Sequence, residues 1–210
     1  MGKILSLGFL SIGIFLLMQV VLPIISFQIW EMAQGKGNQN LVTPTSSSAE
    51  ILGVSIESSL NFSYFVSDIE REYQPNYSEF SLSVPRLNLD KVEVVVDTNE
   101  LINKLAHLPG TALPGEKGNV FISGHSAVNP LLGIKKAFFT KLTDLKKGDE
   151  IVLEANRVKF KYQVVDLKVV DPGNVSVIAP PDTNGRYITL MTCVPPGLNF
   201  KRLVVLGKML

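Results

Sequence analysis

The sequence predicts an all-β domain, an antiparallel barrel or sandwich with short helices, preceded by an N-terminal transmembrane helix. Three observations lead there. Residues 4–30 are 27 consecutive positions without a formal charge, mostly Leu, Ile, Val and Phe. From residue 79 onward the chain breaks into short runs rich in β-branched and aromatic residues, parted by Gly- and Pro-containing turns. Between them, 32–48 is Gly, Asn, Gln, Ser and Thr with Pro44, a composition that cannot bury enough apolar surface to fold alone.

As a helix the apolar run would reach roughly 40 Å, against a hydrocarbon core of about 30 Å. Pro23 is a place for a kink, Gln28 and Trp30 stand where a polar, aromatic boundary belongs, and Glu31 ends the run. A cleaved export signal is the rival reading. Its apolar region is usually about 7 to 15 residues long before a small-residue cleavage site, and no A-x-A pattern follows here. Residues 1–31 are therefore read as cytoplasmic amino terminus and anchor. Lys3 and the amino terminus on one side, with Glu31 first on the other, favour a single-pass cell-membrane protein whose carboxyl domain is extracytoplasmic. Residues 32–78 are the linker and an extension. The 32–48 stretch reads as a stalk, and the spacing of Leu60, Phe62, Phe65, Val66 and Ile69 admits a helix across 58–72.

The folded domain is expected over 79–210. Its strand candidates are FSLSV (80–84), VEVVV (92–96), NVFIS (119–123), EIVLE (150–154), the partly alternating 157–170, RYITLMT (186–192) and RLVVLGK (202–208). Seven or eight such strands argue for a barrel or sandwich, and closure would remove exposed edges. Helical turns are expected only at 99–107, capped by Thr98 or Asn99, and at 135–145.

Charge and composition exclude several functions. Lys and Arg number 20 against 19 Asp and Glu, so no basic excess marks a nucleic-acid binder. One cysteine makes no intramolecular disulfide, and with two histidines it falls short of a four-ligand zinc site.

The chemistry concentrates at that cysteine. Cys193 ends the RYITLMT run, and Val194, Pro195, Pro196 and Gly197 must terminate the strand, which leaves the thiol at a rim. An eight-residue connection then reaches Arg202. If the two runs pair as a hairpin, neighbouring strands about 4.8 Å apart bring sulfur and guanidinium to one end of the sheet. There an arginine could hold a substrate carbonyl or a developing oxyanion, and its charge would favour the thiolate. A nucleophilic thiol needs a proton partner. His125, in SGHSAVNP directly after NVFIS, stands in a turn displayed by the sheet, whereas His107 reads as structural or surface. The plainer reading is that Cys193 is a small buried hydrophobe and His125 a local hydrogen-bonding group.

Three segments in order carry a family resemblance: HLPGTALPGEKGNVFISGHS (107–126), TLMTC (189–193) and KRLVV (201–205), with FFTKLTDLKKGDEIVL (138–153) between the first two. From about residue 79 to the end the chain resembles the sortases, membrane-anchored cysteine transpeptidases of bacterial cell surfaces. LPGTA at 108–112 looks superficially like an LPxTG sorting signal, but no apolar tail and basic end follow it, so it belongs with the first motif. The resemblance implies an eight-stranded sortase-type β-barrel with His125, Cys193 and Arg202 converging at one end. It implies that Cys193 attacks a sorting motif of a secreted protein to form a thioester, that His125 protonates the leaving amine, and that Arg202 stabilises the carbonyl and tetrahedral intermediate. The partners implied are secreted proteins with a C-terminal sorting motif and an amine acceptor, either a peptidoglycan precursor or a pilin lysine. A backbone N–H near the turn and the Thr192 hydroxyl are candidate oxyanion donors, and Val177, Ile178, Ala179 and Pro180 are candidates for an apolar groove wall. Glu116, Asp171 and Asp182 are too scattered to suggest a calcium site, so no metal or cofactor is expected. A thiol hydrolase with the same three residues, and a membrane-tethered binding module with an inert thiol, are the competing readings.

Overall fold

The computed structural model describes residues 2–33, 54–59, 62–67 and 75–210. The chain divides into two units, Met1–Pro44 and Thr45–Leu210. In the first, α1 (Gly2–Ala33) is one helix, and its stretch Gly8–Ser26 is long and apolar enough to cross a membrane by length and composition. Phe9, Phe15 and Leu17 are exposed on it, as a helix apolar all round requires of a lipid-facing or partnered segment. The stalk expected over 32–48 lies, beyond residue 33, outside the described residues.

The second unit begins with strands β1 (Val54–Ser59) and β2 (Phe62–Ser67), an antiparallel hairpin. This corrects the helix expected across 58–72, of which 60–61 and 68–72 lie outside the described residues. Apolar residues three or four apart also fit a strand when only some of them find a partner; in β2 Phe65 is buried and Val66 half-buried.

Eight further strands follow: β3 (Glu79–Val84), β4 (Leu89–Val95), β5 (Leu105–His107), β6 (Gly118–Ser123), β7 (Glu150–Ala155), β8 (Val158–Val170), β9 (Arg186–Val194) and β10 (Lys201–Met209). They close into a barrel in the order β10-β8-β7-β3-β4-β5-β6-β9. All the expected strand runs are present, but the barrel is not purely antiparallel, because β4 pairs with β5 and β6 with β9 in parallel. The latter pair has long crossovers between its members, which a parallel ladder demands. The β7–β8 hairpin turns on Asn156 and Arg157, both at positive φ (48° and 66°), the two-residue geometry that matches strand twist.

Of the two expected helical turns, the first is corrected and the second is met only in part. In 99–107 the Glu100 amide bonds to Thr98 Oγ1 (3.1 Å), a local turn that never propagates, and the segment ends as strand β5. In 135–145 only the 3-10 turn Leu142–Asp144 forms, after another at Pro130–Leu132. The barrel interior is filled from alternating positions: Val120, Ile122, Ile188, Leu190, Leu203 and Val205 are wholly buried or nearly so.

Candidate active site

The residues that alternate with this interior set form one outer face on three adjacent strands. On β6 they are Asn119, Phe121 and Ser123, on β9 Thr189, Met191 and Cys193, and on β10 Arg202 and Val204. Phe121, Met191 and Val204 pack with Leu108 and with Val175, Val177 and Ile178 of the 3-10 turn Val175–Ile178, which roofs them. Asn119 holds that roof. Its Nδ2 donates to the Ile178 carbonyl (2.9 Å) while its Oδ1 accepts the Thr189 hydroxyl (3.0 Å). Of the four residues expected to wall a groove, Val177 and Ile178 are buried in this cluster, whereas Ala179 is exposed and Pro180 half-buried just beyond it.

Phe65 of β2 completes the cluster, 5% exposed, with its ring centroid 5.9 Å from that of Phe121 at a tilted angle. The hairpin is tied down by a reciprocal pair: the Ser67 amide donates to Asn99 Oδ1 and Asn99 Nδ2 donates to the Ser67 carbonyl, both 3.2 Å. A small, partly open pocket lies beside Phe65, lined by Thr98, Asn99, Leu101, Ala106, Leu108 and Ser123.

Cys193 and Arg202 are direct register partners on β9 and β10, as the hairpin expectation required. The connection between the strands is six residues, 195–200, shorter than the sequence suggested because both strands run further. Cys193 is half-buried and Arg202 only 2% exposed, its Nη1 donating to the Lys201 carbonyl (3.1 Å). Burial pushes the Cys193 thiol above its ordinary value of 9.0, and the nearby guanidinium pulls the other way.

His125 is brought to the same end by β6. Ser123 lies opposite Met191 in the parallel register, and Gly124 continues the contact, its amide donating to the Met191 carbonyl (3.1 Å). The Thr192 hydroxyl donates to the Gly124 carbonyl (2.7 Å), so this wholly interior threonine clamps the His125 turn to β9. A Cβ at position 124 would lie 2.5 Å from Leu105 Cδ2 and 2.8 Å from Phe139 Cδ2, so any larger residue would force these buried side chains to shift. The His125 carbonyl accepts the Phe139 amide (3.1 Å), fixing the far side of the turn. Its ring is half-buried, and burial lowers the imidazole below its ordinary 6.5.

His107 is wholly buried instead. The Asp97 amide donates to its Nδ1 (3.3 Å), and Nε2 lies 3.0 Å from both the Ala112 carbonyl and Thr111 Oγ1, which ties the 108–113 segment to β5. Two residues were missed from sequence. Phe65 was hidden in an assumed helix, and Asn199 in the connection; Asn199 Oδ1 accepts the Cys193 thiol at 3.3 Å. The Pro-Pro-Gly ahead of Asn199 is the one local signal that the chain folds back there.

The arrangement therefore unites a thiol, a guanidinium, an imidazole-bearing turn and an apolar face on one side of a closed barrel. A family model described as "Sortase domain" matches residues 82–210. Among curated proteins, Sortase D of Bacillus subtilis is 28% identical over 131 residues, 60% of this chain and 61% of that protein. Sortase A of Bacillus anthracis is 32% identical over 127 residues, 60% of this chain and 57% of that protein. The matched region thus spans about three fifths of these relatives. Among solved structures, Sortase A from Corynebacterium diphtheriae superposes with a TM-score of 0.56 at 32% identity, covering 64% of this chain and 61% of that one. A pilus-related Sortase C of Group B Streptococcus gives 0.55 at 32% identity, covering 65% and 69%. The order of motifs, the closed eight-stranded barrel and the matched domain agree, and the chain belongs to the sortase family.

Proposed function

We propose that this protein is a membrane-anchored cysteine transpeptidase that cleaves an LPxTG-like sorting motif of secreted proteins and transfers the acyl part to an amine. The observation that carries it is the Cys193–Arg202 cross-strand pair at the end of the apolar outer face, with the His125 turn clamped to the same strand. In this reading residues 1–31 anchor the chain with its amino end in the cytoplasm, 32–78 link and extend, and 79–210 catalyse outside the membrane.

The Cys193 proton passes to His125 as sulfur attacks the scissile carbonyl, and the new oxyanion faces Arg202, whose buried charge acts in a low dielectric. Collapse breaks the C–N bond, and the leaving amine takes the proton from His125, leaving a thioester. An incoming amine gives its proton to the imidazole, attacks the thioester, and expels Cys193, which recovers the proton. The resting pair is neutral by environment, since burial raises the thiol and lowers the imidazole, so the reactive thiolate–imidazolium form is the minor one. Val177 and Ile178, with Met191 and Val204, would hold the apolar part of the sorting peptide, and the acceptor would be a peptidoglycan precursor amine or a pilin lysine.

The test uses the full chain in lipid vesicles, a panel of LPxTG-like fluorogenic peptides and several amines, with products identified by mass spectrometry. Amine-dependent ligation through a Cys193 thioester is the expected result. Hydrolysis with no amine ever incorporated would replace the transpeptidase by a thiol hydrolase.

A further inference from the structure

Six residues join β9 to β10, and their path is set by a tight turn. The Leu198 amide bonds to the Pro195 carbonyl (2.9 Å), with Pro196 at the second turn position and Gly197 at φ +80° in the third, the residue types that a type II turn selects. The turn reverses the chain after Cys193 and returns it past the thiol before β10 begins at Lys201. Asn199 is the residue so returned, and its carboxamide meets the sulfur, Sγ donating to Oδ1 at 3.3 Å.

We propose that Asn199 is a catalytic residue that holds the Cys193 sulfur in both of its charge states, accepting the S–H hydrogen in the resting enzyme and, with the carboxamide turned over, donating Nδ2–H to the thiolate. A carboxamide carries an acceptor and a donor on one rigid plane, and a rotation about its last side-chain bond exchanges them without moving the loop. The thiolate arises twice per turnover, as the attacking group and as the group expelled when the amine resolves the thioester. The donor therefore acts in both half-reactions. Burial disfavours the charged sulfur, which makes a donor there worth more than it would be in water. The charged and titratable groups on the elements around the sulfur are Arg202 on β10 and His125 after β6, while Lys201 is engaged by Asp171 Oδ1 at 2.6 Å. Asn199 adds a neutral donor to that set, so it can stabilise the thiolate without competing with Arg202 for charge.

This assignment rests on the transpeptidase reading for its role in turnover, but its effect on the thiol can be measured without any peptide. The full chain in vesicles would be compared with Asn199→Ala and the isosteric Asn199→Asp. The rate of Cys193 alkylation by iodoacetamide is followed against pH, and kcat and KM are measured separately with whichever sorting peptide reacts. The expected result for Asn199→Ala is an alkylation profile shifted to higher pH by about one unit. Its kcat should fall about ten- to hundredfold, the range for a hydrogen bond to a charged group, with KM within about twofold. Asn199→Asp keeps the shape and the acceptor but loses the donor and adds a negative charge, so its profile should shift further. Thermal melting of each variant separates these effects from loss of fold, and Asn199→Asp serves if the alanine variant melts early. Unchanged alkylation profiles in both variants would overturn the proposal, as would an aspartate variant that reacts faster than the parent. A parent chain that forms no thioester with any peptide would sink the transpeptidase reading alone, because the alkylation comparison still stands.

Discussion

The barrel interior and the outer face of β6, β9 and β10 are built from the same strands by the same alternation, and both are apolar and buried. Ile122, Leu190 and Leu203 point inward; Phe121, Met191 and Val204 point outward. They differ in what covers them. The interior is enclosed by the hydrogen-bonded strands themselves, whereas the outer face is covered by Phe65 from a hairpin outside the barrel ladder and by a 3-10 turn held through Asn119. Burial therefore does not separate core from site here. The core is the face closed by the fold's own ladder, and the candidate site is the face closed by elements outside that ladder.

The sharpest test of that distinction is chemical. On the proposed mechanism Cys193→Ala should remove every thioester-dependent product, yet its melting temperature should match the parent within a few degrees, because the thiol lies at the half-buried edge of the outer face. Trapping by mass spectrometry and a thermal melt on the same sample decide it, and a variant that unfolds would move Cys193 into the core. Next in size is a pair of neighbouring substitutions on β9. Leu190→Ala empties interior volume enclosed by the barrel's own strands and should cost about 2–5 kcal/mol by denaturant titration, whereas Met191→Ala, covered by elements outside the barrel ladder, should cost the lower end of that range or less and raise KM for the proposed peptide. Equal losses would erase the contrast between the faces.

Phe65→Ala probes the cover. If the proposed sorting peptide lies on this face it shares the space that Phe65 fills, so removing the ring should lower the apparent KM by about two- to tenfold while leaving barrel unfolding nearly unchanged. A raised KM would make Phe65 part of the peptide's own binding wall. The smallest effect is read in pH. With the imidazole lowered and the thiol raised, the singly protonated pair that contains the reactive form persists across a wide range, lost below the lower value by protonation of both groups and above the upper by deprotonation of both. The profile of kcat/KM should be a broad bell with its acid limb below 6.5 and its alkaline limb above 9.0. Limbs drawn inside those values would mean a site more solvated than its burial indicates.

The two histidines show how far the sequence reaches. The position of His125 is legible because it stands just after an apolar run, within Gly-, Ser- and Asn-rich turn chemistry, and the folded chain keeps it in a turn at the end of β6. Of the two readings open for His107, structural or surface, its burial among Asp97, Thr111 and Ala112 selects the first, but the three-residue strand that carries it reads from sequence as the end of a helical turn. Strand β5 is too short to show a period and exists only because β4 and β6 flank it. The β1–β2 hairpin was misread for a related reason, since Phe65 and Val66 gain their strand character from pairing and from Phe121. Asn199 had no signal of its own beyond the Pro-Pro-Gly turn, because its partner is a sulfur across that turn.

The sequence by itself determined which side chains share a face within each strand, that Cys193 ends one strand and Arg202 opens the next, and that His125 stands at the end of a third. These follow from a period of two and from turn chemistry, both properties of a few consecutive residues. Only the tertiary structure decided that β6 lies parallel to β9, so that the His125 turn meets the Cys193 strand, and that Phe65 and Asn199 reach the site. Those are pairings between distant segments, whose register is set by the closure of the whole barrel and by the packing of every face at once.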